Sequence, residues 1–310
     1  MLWALINSLT NNKTLRLVNE KSTQETIQKI KESYINYRSV FIPGTQLLNI
    51  LVELGANPDH VEEMKVISEQ LFNDPTLAFR RSRNGRFCYN LEKQCCYRTE
   101  FQPFVLSFDE DFVRHDSGDI RHFRGLNDRL QHNSIFQSLL LFKHLVCHDV
   151  ATAPRKYLNY DSPNWVSTVF HLRTVTSPSL VGEPALEGVH TDGVDHTMTT
   201  LLGHKNMTDH SAKTFIHHMK EKNALKWHEA DPTFILDEKQ HLNFLDTLLI
   251  CDNERKHSLT AVEASNPAKD ATRDMLIFFT RKPALEGHVS FPYDSLKAHP
   301  DYPISFNLNV

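Results

Sequence analysis

A chain of 310 residues can bury a large core, and 40% hydrophobic with 23% charged residues is the composition of a globular protein. The formal net charge of -4 argues against nucleic acid as a main partner, so none is expected. Leu2 to Ile6 is the longest apolar stretch near the start; it is too short for a secretion signal or a membrane span, so a cytoplasmic protein without a membrane partner is expected. The first hundred residues read as mainly helical. Ser22-Thr23-Gln24-Glu25 fits a capping box, followed by Ile27, Ile30, Tyr34 and Ile35 at helical spacing. Asn57-Pro58-Asp59 is a second start signal, a cap with proline at the first helical position, leading to Val61, Met64 and Leu71. A third helix is predicted from about Ser134 to His148, where Phe136, Leu139, Phe142 and Val146 form a stripe.

From Trp165 onward the pattern changes to short strands. Trp165 to Arg173 is rich in β-branched and aromatic residues, and Thr197 to Leu202, Phe234 to Leu236, Thr247 to Cys251, Ser258 to Glu263 and Met275 to Thr280 follow. Polar turns separate them at spacings that suit an antiparallel sandwich or barrel. Residues 205–241 read as an insertion, with a charged, helical stretch from Lys213 to Lys226. The five cysteines (Cys88, Cys95, Cys96, Cys147, Cys251) are odd in number and form no CxxC pair, so they read as thiols.

The chemistry centres on Gly188-Val189-His190-Thr191-Asp192-Gly193. Residues two apart on an extended strand project from one face, so His190 and Asp192 can chelate one ion. With 18 histidines in the sequence, that pair alone is equally well a turn beside Gly193. A second histidine from a distant strand completes a two-histidine, one-carboxylate facial triad, which leaves positions open on Fe(II). His257 is placed to supply it. Sixteen residues later Arg273 opens the apolar run Met275 to Thr280. A guanidinium there needs a carboxylate, which either a small-molecule diacid or a neighbour such as Asp274 or Asp270 can provide. The order H-x-D, distant histidine, then arginine is far more specific than any one piece.

These segments resemble the 2-oxoglutarate/Fe(II) oxygenases of the L-isoleucine dioxygenase type, which hydroxylate free amino acids. The likeness runs through Ile120 to Asp128 with Asn133 and Gln137, Phe170 to Arg173, and Leu245-Asp246-Thr247-Leu248 to Arg273-Asp274-Met275-Leu276, covering roughly residues 110 to 282. It implies a mainly β fold with a helical layer, a double-stranded β-helix (a cupin-like jelly-roll core) with N-terminal helices. Within one catalytic domain, about 1–110 forms the helical layer, about 111–285 the core and 286–310 an extension. The implied cofactors are Fe(II), 2-oxoglutarate and dioxygen, with ascorbate as reductant, and the implied partner is a small-molecule substrate, most simply a free L-amino acid.

The resemblance also implies His190, Asp192 and His257 as metal ligands and Arg273 on the distal carboxylate of 2-oxoglutarate, with Thr260 adding a hydroxyl. Arg173 and Arg86 are candidates for a substrate carboxylate, and Asn127 and Asp128 for its ammonium. Two other readings compete. The run His190-Thr191-Asp192-Gly193-Val194-Asp195-His196 is similar to the H-x-H-x-D-H run of dinuclear metallo-hydrolases, though one residue too long and with aspartate for the second histidine. The other is a jelly-roll binding protein without catalysis.

Overall fold

The computed structural model describes residues 22–110 and 113–309; Leu2 to Ile6 lies outside them. The first helix, α1 (22–37), buries Ile27, Ile30 and Tyr34 along one face. Ile35 is turned 100° from Tyr34 in any α-helix and is exposed, and Ser22 is already helical rather than a cap. A short strand β1 (Ser39–Ile42) and helix α2 (Gly44–Glu53) follow. α2 begins where only glycine fits, since a Cβ on Gly44 would lie 1.9 Å from the Phe244 carbonyl oxygen. Asn57 caps as its sequence predicts, accepting from the Asp59 amide at 3.0 Å, and leads through a 3-10 turn into α3 (Val61–Val66). Short α4 (Asp128–His132) precedes α5 (Ser134–Cys147), which buries Phe136, Leu139, Phe142 and Val146.

The strands are β2 (Phe72–Asn73), β3 (Arg80–Asn90), β4 (Cys95–Arg98), β5 (Asn164–Thr176), β6 (His196–Lys205), β7 (Thr214–His217), β8 (Ile235–Lys239), β9 (Thr247–Cys251), β10 (Lys256–Leu259), β11 (Ala271–Arg281) and β12 (Ser305–Asn307). With β1 there are twelve, and nine of these form one antiparallel sheet in the order β1-β9-β6-β11-β5-β3-β4-β12, with β2 on the edge of β3. The remaining three pair as β10-β7-β8, and isolated bridges at His190–His257 and Gly182–Val262 widen that smaller sheet. Alternation along the large sheet sorts its two faces. Val169, Met198, Leu249, Leu276 and Phe278 join the helices in the main core. Their neighbours Phe170, Thr199, Leu248, Met275, Ile277 and Phe279 line a cavity on the opposite face. This is the jelly-roll arrangement expected, with helices on one side only.

The structure departs from the sequence expectations in three places. β3 and β4 fall within the supposedly helical first hundred residues, and β3 pairs with β5 along its whole length, from Arg80–Thr174 to Asn90–Asn164. The run Arg80 to Arg86 reads as solvated, yet its guanidinium groups find partners: Arg80 meets Asp74, Arg83 the Gly125 carbonyl and Arg86 Asp294. Lys213 to Lys226 is not helical. Thr214–His217 is the middle strand of the small sheet, buried at every position, while the lysines belong to the flanking turns. The segment 205–241 is therefore built into the wall that carries His257. Finally, the C-terminal stretch supplies β12 to the large sheet and Asp294 to Arg86 and Arg281.

Candidate metal centre

His190 and His257 face each other across a backbone bridge, with amide-to-carbonyl hydrogen bonds of 3.0 and 2.9 Å in the two directions. Directly opposed residues project to the same side, so the rings lie 4.3 Å apart between centroids. Asp192, two residues on, places Oδ1 at 3.4 Å from His190 Nε2 and Oδ2 at 3.7 Å from His257 Nε2. All three are buried, and one ligand atom from each lies within 4.8 Å of the others. Among the described residues this is the one cluster of three such groups.

The surroundings prepare these atoms for a cation. His190 Nδ1 donates to the Gly188 carbonyl at 2.8 Å, so Nε2, facing Asp192, is the ring nitrogen that can take a metal in place of its proton. Burial alone would lower the His190 imidazole, but Glu187 and Asp192 outweigh it and lift it to about 9. Burial takes His257 down to about 4, so it is neutral at pH 7. Asp192 is held ionised against its burial by the charged His190, and Thr197 donates a 2.6 Å hydrogen bond to its Oδ2. A site that attracts a proton to one imidazole while keeping the other neutral beside a carboxylate fits a divalent ion with nitrogen and oxygen ligands.

The loop carrying the motif is fixed from behind. Asp252, fully buried at the end of β9, accepts from the amides of Asp192 at 2.8 and 2.9 Å and of Val194 at 3.1 Å, and pairs with Arg155 at 3.0 Å. Gly193 adopts φ +74°, and a Cβ there would meet the Glu110 backbone oxygen at 2.9 Å. Asp195 and His196, the extra groups of the dinuclear reading, turn away. Asp195 accepts from Tyr160 at 2.6 Å, and His196 Nδ1 bonds Tyr34 at 2.8 Å on the helix side of the sheet. Among the described residues, a second metal beside the first has no ligands there.

Arg273 projects into the same cavity, only 4% exposed. Burial lowers its guanidinium to about 10, still charged at pH 7, and no carboxylate pairs with it among the described residues. The adjacent Asp274 is held by Arg173 at 2.7 and 2.8 Å, and Asp270 is exposed. A buried guanidinium facing a cavity, within reach of a metal cluster, fits the far carboxylate of a chelating diacid.

The other candidate residues are not brought to this cavity. Thr260 accepts from the Lys213 amide at 3.0 Å and donates to the His210 carbonyl; the hydroxyls lining the cavity are those of Thr199 and Thr214. Arg173 is engaged by Asp274 and by Glu69 at 3.0 Å. Arg86 is held by Asp294 at 3.2 Å and by the Tyr293 carbonyl. Asn127 caps α4 by accepting from Arg129 at 2.9 Å, and Asp128 accepts from Gln131 at 2.6 Å. The cavity instead presents Arg80, Arg114, Arg121 and Glu187, which the sequence pattern does not single out. Arg80 sits six residues before Arg86 in the same run, and Arg121 lies within the segment that carries the resemblance. Glu187 stands next to Gly188, three residues before His190.

A profile of the 2OG-Fe dioxygenase family matches residues 65–279. The chain belongs to this family. The 2OG-Fe dioxygenase is 43% identical over 280 residues to the "Bifunctional enzyme flvA" of Aspergillus flavus, covering 90% of this sequence and 34% of that one. It thus spans about a third of the length of that relative. It also superposes on the solved Fe(II)/(alpha)ketoglutarate-dependent dioxygenase TqaL with a TM-score of 0.82 at 43% identity, covering 94% of this structure and 98% of that one. A bsmA homolog from Methylobium petroleophilum PM1, 16% identical with a TM-score of 0.66 over 84% of this structure and 95% of that one, shares the fold. The cofactors of this dioxygenase family are Fe(II), 2-oxoglutarate and dioxygen.

Proposed function

We propose that the dioxygenase oxidises an unactivated C–H bond in the hydrocarbon portion of a free L-amino acid, hydroxylation being the simplest outcome, with release of succinate and CO2. His190, Asp192 and His257 would hold the iron and Arg273 the distal carboxylate of 2-oxoglutarate, across one catalytic unit built from both sheets. When bound, the iron and its co-substrate supply the oxidising chemistry. The protein's own contribution is to fix the substrate, exclude water and keep other C–H bonds out of range.

One observation carries the choice of substrate. The cavity, about 110 Å³, gathers a second group of cations besides Arg273. Arg80 pairs with Asp74 at 2.8 Å, Arg114 with Asp116 at 2.5 Å, and Arg121 with the same Asp116 at 3.7 Å. Three guanidinium groups set side by side on one wall make it electropositive, and a paired guanidinium keeps further N–H donors for a second carboxylate. A substrate carboxylate is the group such a wall recognises. Phe104, Leu106, Phe123, Phe170 and Leu172 form an apolar surface beside these arginines, suited to a hydrocarbon substituent. The test is a mass-spectrometric screen of the L-amino acids with Fe(II), 2-oxoglutarate and ascorbate. A gain of one oxygen or loss of two hydrogens in a free amino acid, and not in its methyl ester, supports the reading. Oxidation of esters and free acids alike, or of no amino acid, contradicts it.

A further inference from the structure

Among the described residues, Glu187 is the one carboxylate of the cavity lining apart from the candidate ligand Asp192, and no part of the iron chemistry uses it. Its position is built rather than incidental. It ends the turn 184–187, and Gly188 follows at φ +79°, where a Cβ would lie 2.3 Å from the Leu225 carbonyl oxygen. The Val189 amide donates to that same carbonyl at 2.7 Å, and the Ala224 amide donates back to Val189 at 2.8 Å. The turn is thereby pinned to 224–225, and the Glu187 side chain, only 10% exposed, lies against the metal cluster.

Its charged neighbour within 4 Å among the described residues is His190, with Oε1 at 3.6 Å from Nε2. Nε2 is also the atom that points at the metal position. An imidazole that gives this lone pair to a metal has no proton there for Glu187, so the buried carboxylate then needs another cation or donor. Arg114 also feels the Glu187 charge, but its hydrogen bonds go to Asp116 at 2.5 Å. A cation brought into the cavity by the substrate can supply the missing hydrogen-bond donor.

We propose that Glu187 accepts the free α-ammonium group of the substrate. This rests on the amino-acid reading above and sharpens it. The carboxylate lies toward Arg80, Arg114 and Arg121, and the amine lies on the His190 side of the metal. The site therefore takes primary α-amino acids and rejects their N-acylated and 2-hydroxy counterparts. The α-carbon is held at both ends, and its side chain is presented from a fixed origin.

The experiment uses the full-length protein loaded with Fe(II) and 2-oxoglutarate under argon, and follows binding through the visible absorption of that complex. The probes are the proteinogenic L-amino acids and, for each that binds, its 2-hydroxy acid. Glu187→Gln, of nearly the same shape, should weaken amino-acid binding roughly 10- to 100-fold, the range for a lost charged hydrogen bond. Binding of the 2-hydroxy acid and of Fe(II) itself should change less than about two-fold. Glu187→Asp should recover part of the amino-acid affinity. Equal losses for both probes would reduce Glu187 to a wall of the cavity, and a loss of iron affinity would make it a support of the metal; either overturns the proposal. A wild-type protein that binds 2-oxoglutarate but no amino acid would overturn the substrate reading itself, and this inference with it.

Discussion

Replacing Arg273 separates what the residue does for stability from what it does for co-substrate binding. It is 4% exposed, charged at pH 7 and without a carboxylate partner among the described residues, so the unliganded protein carries an uncompensated buried cation. Arg273→Met removes that charge and fills part of its volume. We expect the unliganded variant to be more stable than wild type by roughly 1–4 kcal/mol, the range found when buried charges give way to packed apolar groups. Wild type, in contrast, should gain about 2.7 kcal/mol from 2-oxoglutarate at a hundred times its Kd, and the variant, left with metal chelation alone, should gain far less at that concentration. Arg273→Lys keeps the charge and loses the fork, which costs about 1.5–3 kcal/mol of co-substrate affinity, or about 10- to 150-fold. The assay is urea unfolding with Mn(II) as a redox-silent metal, with and without 2-oxoglutarate. A variant Arg273→Met that is less stable than wild type and still stabilised by 2-oxoglutarate would refute the reasoning, because it would mean that a protein group already satisfies the guanidinium.

Asp252 holds the metal loop through three amide hydrogen bonds, so Asp252→Asn should weaken metal binding about 10- to 100-fold while circular dichroism stays native; unchanged metal affinity would count against its positioning role. Arg86→Ala should cost about 1.5–3 kcal/mol in urea unfolding by removing one charged hydrogen bond from Asp294, which keeps Arg281, with no change in the KM for either substrate; a raised KM would return Arg86 to the site. Lys143, fully buried on α5 and donating to the carbonyls of His196 and Phe278, is lowered by burial from 10.5 to about 7. In the window from about 7 to 10.5 the unfolded chain binds the extra proton, so folded stability rises with pH by up to about 1.4 kcal/mol per unit. Lys143→Met should lose that slope, and parallel curves for both proteins would contradict the assignment.

How much of this is legible in the sequence depends on whether the signal is local. The strand over Thr247–Cys251 and the helix over Ser134–Cys147 appear in the sequence because their periodicity and caps are local. So does the set His190, Asp192, His257 and Arg273, although His190 and Asp192 sit on a loop bridged to β10 and not in a strand of their own. β3 is hidden because an arginine run is ordinarily solvated, and only distant partners such as Asp74 and Asp294 make it a sheet interior. β7 is hidden because Thr214–His217 is flanked by lysines that belong to turns. The cavity-facing residues are obscured for a related reason. Arg86 and Arg80 lie in one run, and nothing local says which faces the cavity and which faces Asp294. Register between β3 and β5 decides the matter. Thr260 lies outside the cavity because β10 ends at Leu259, one residue before it, where the backbone turns to bond Lys213.

In the proposed site, His190, Asp192 and His257 hold one Fe(II) that 2-oxoglutarate chelates within reach of Arg273. Anaerobic titration of the protein with Fe(II) and 2-oxoglutarate tests it most directly, by the metal-to-ligand absorption band in the visible. The band is expected to saturate at one iron per protein molecule, to be lost in His257→Ala and to persist in His241→Ala, since that buried histidine bonds Thr199 instead. In Arg273→Lys it should need far more 2-oxoglutarate. No band in wild type, or a full band in His257→Ala, would contradict this site.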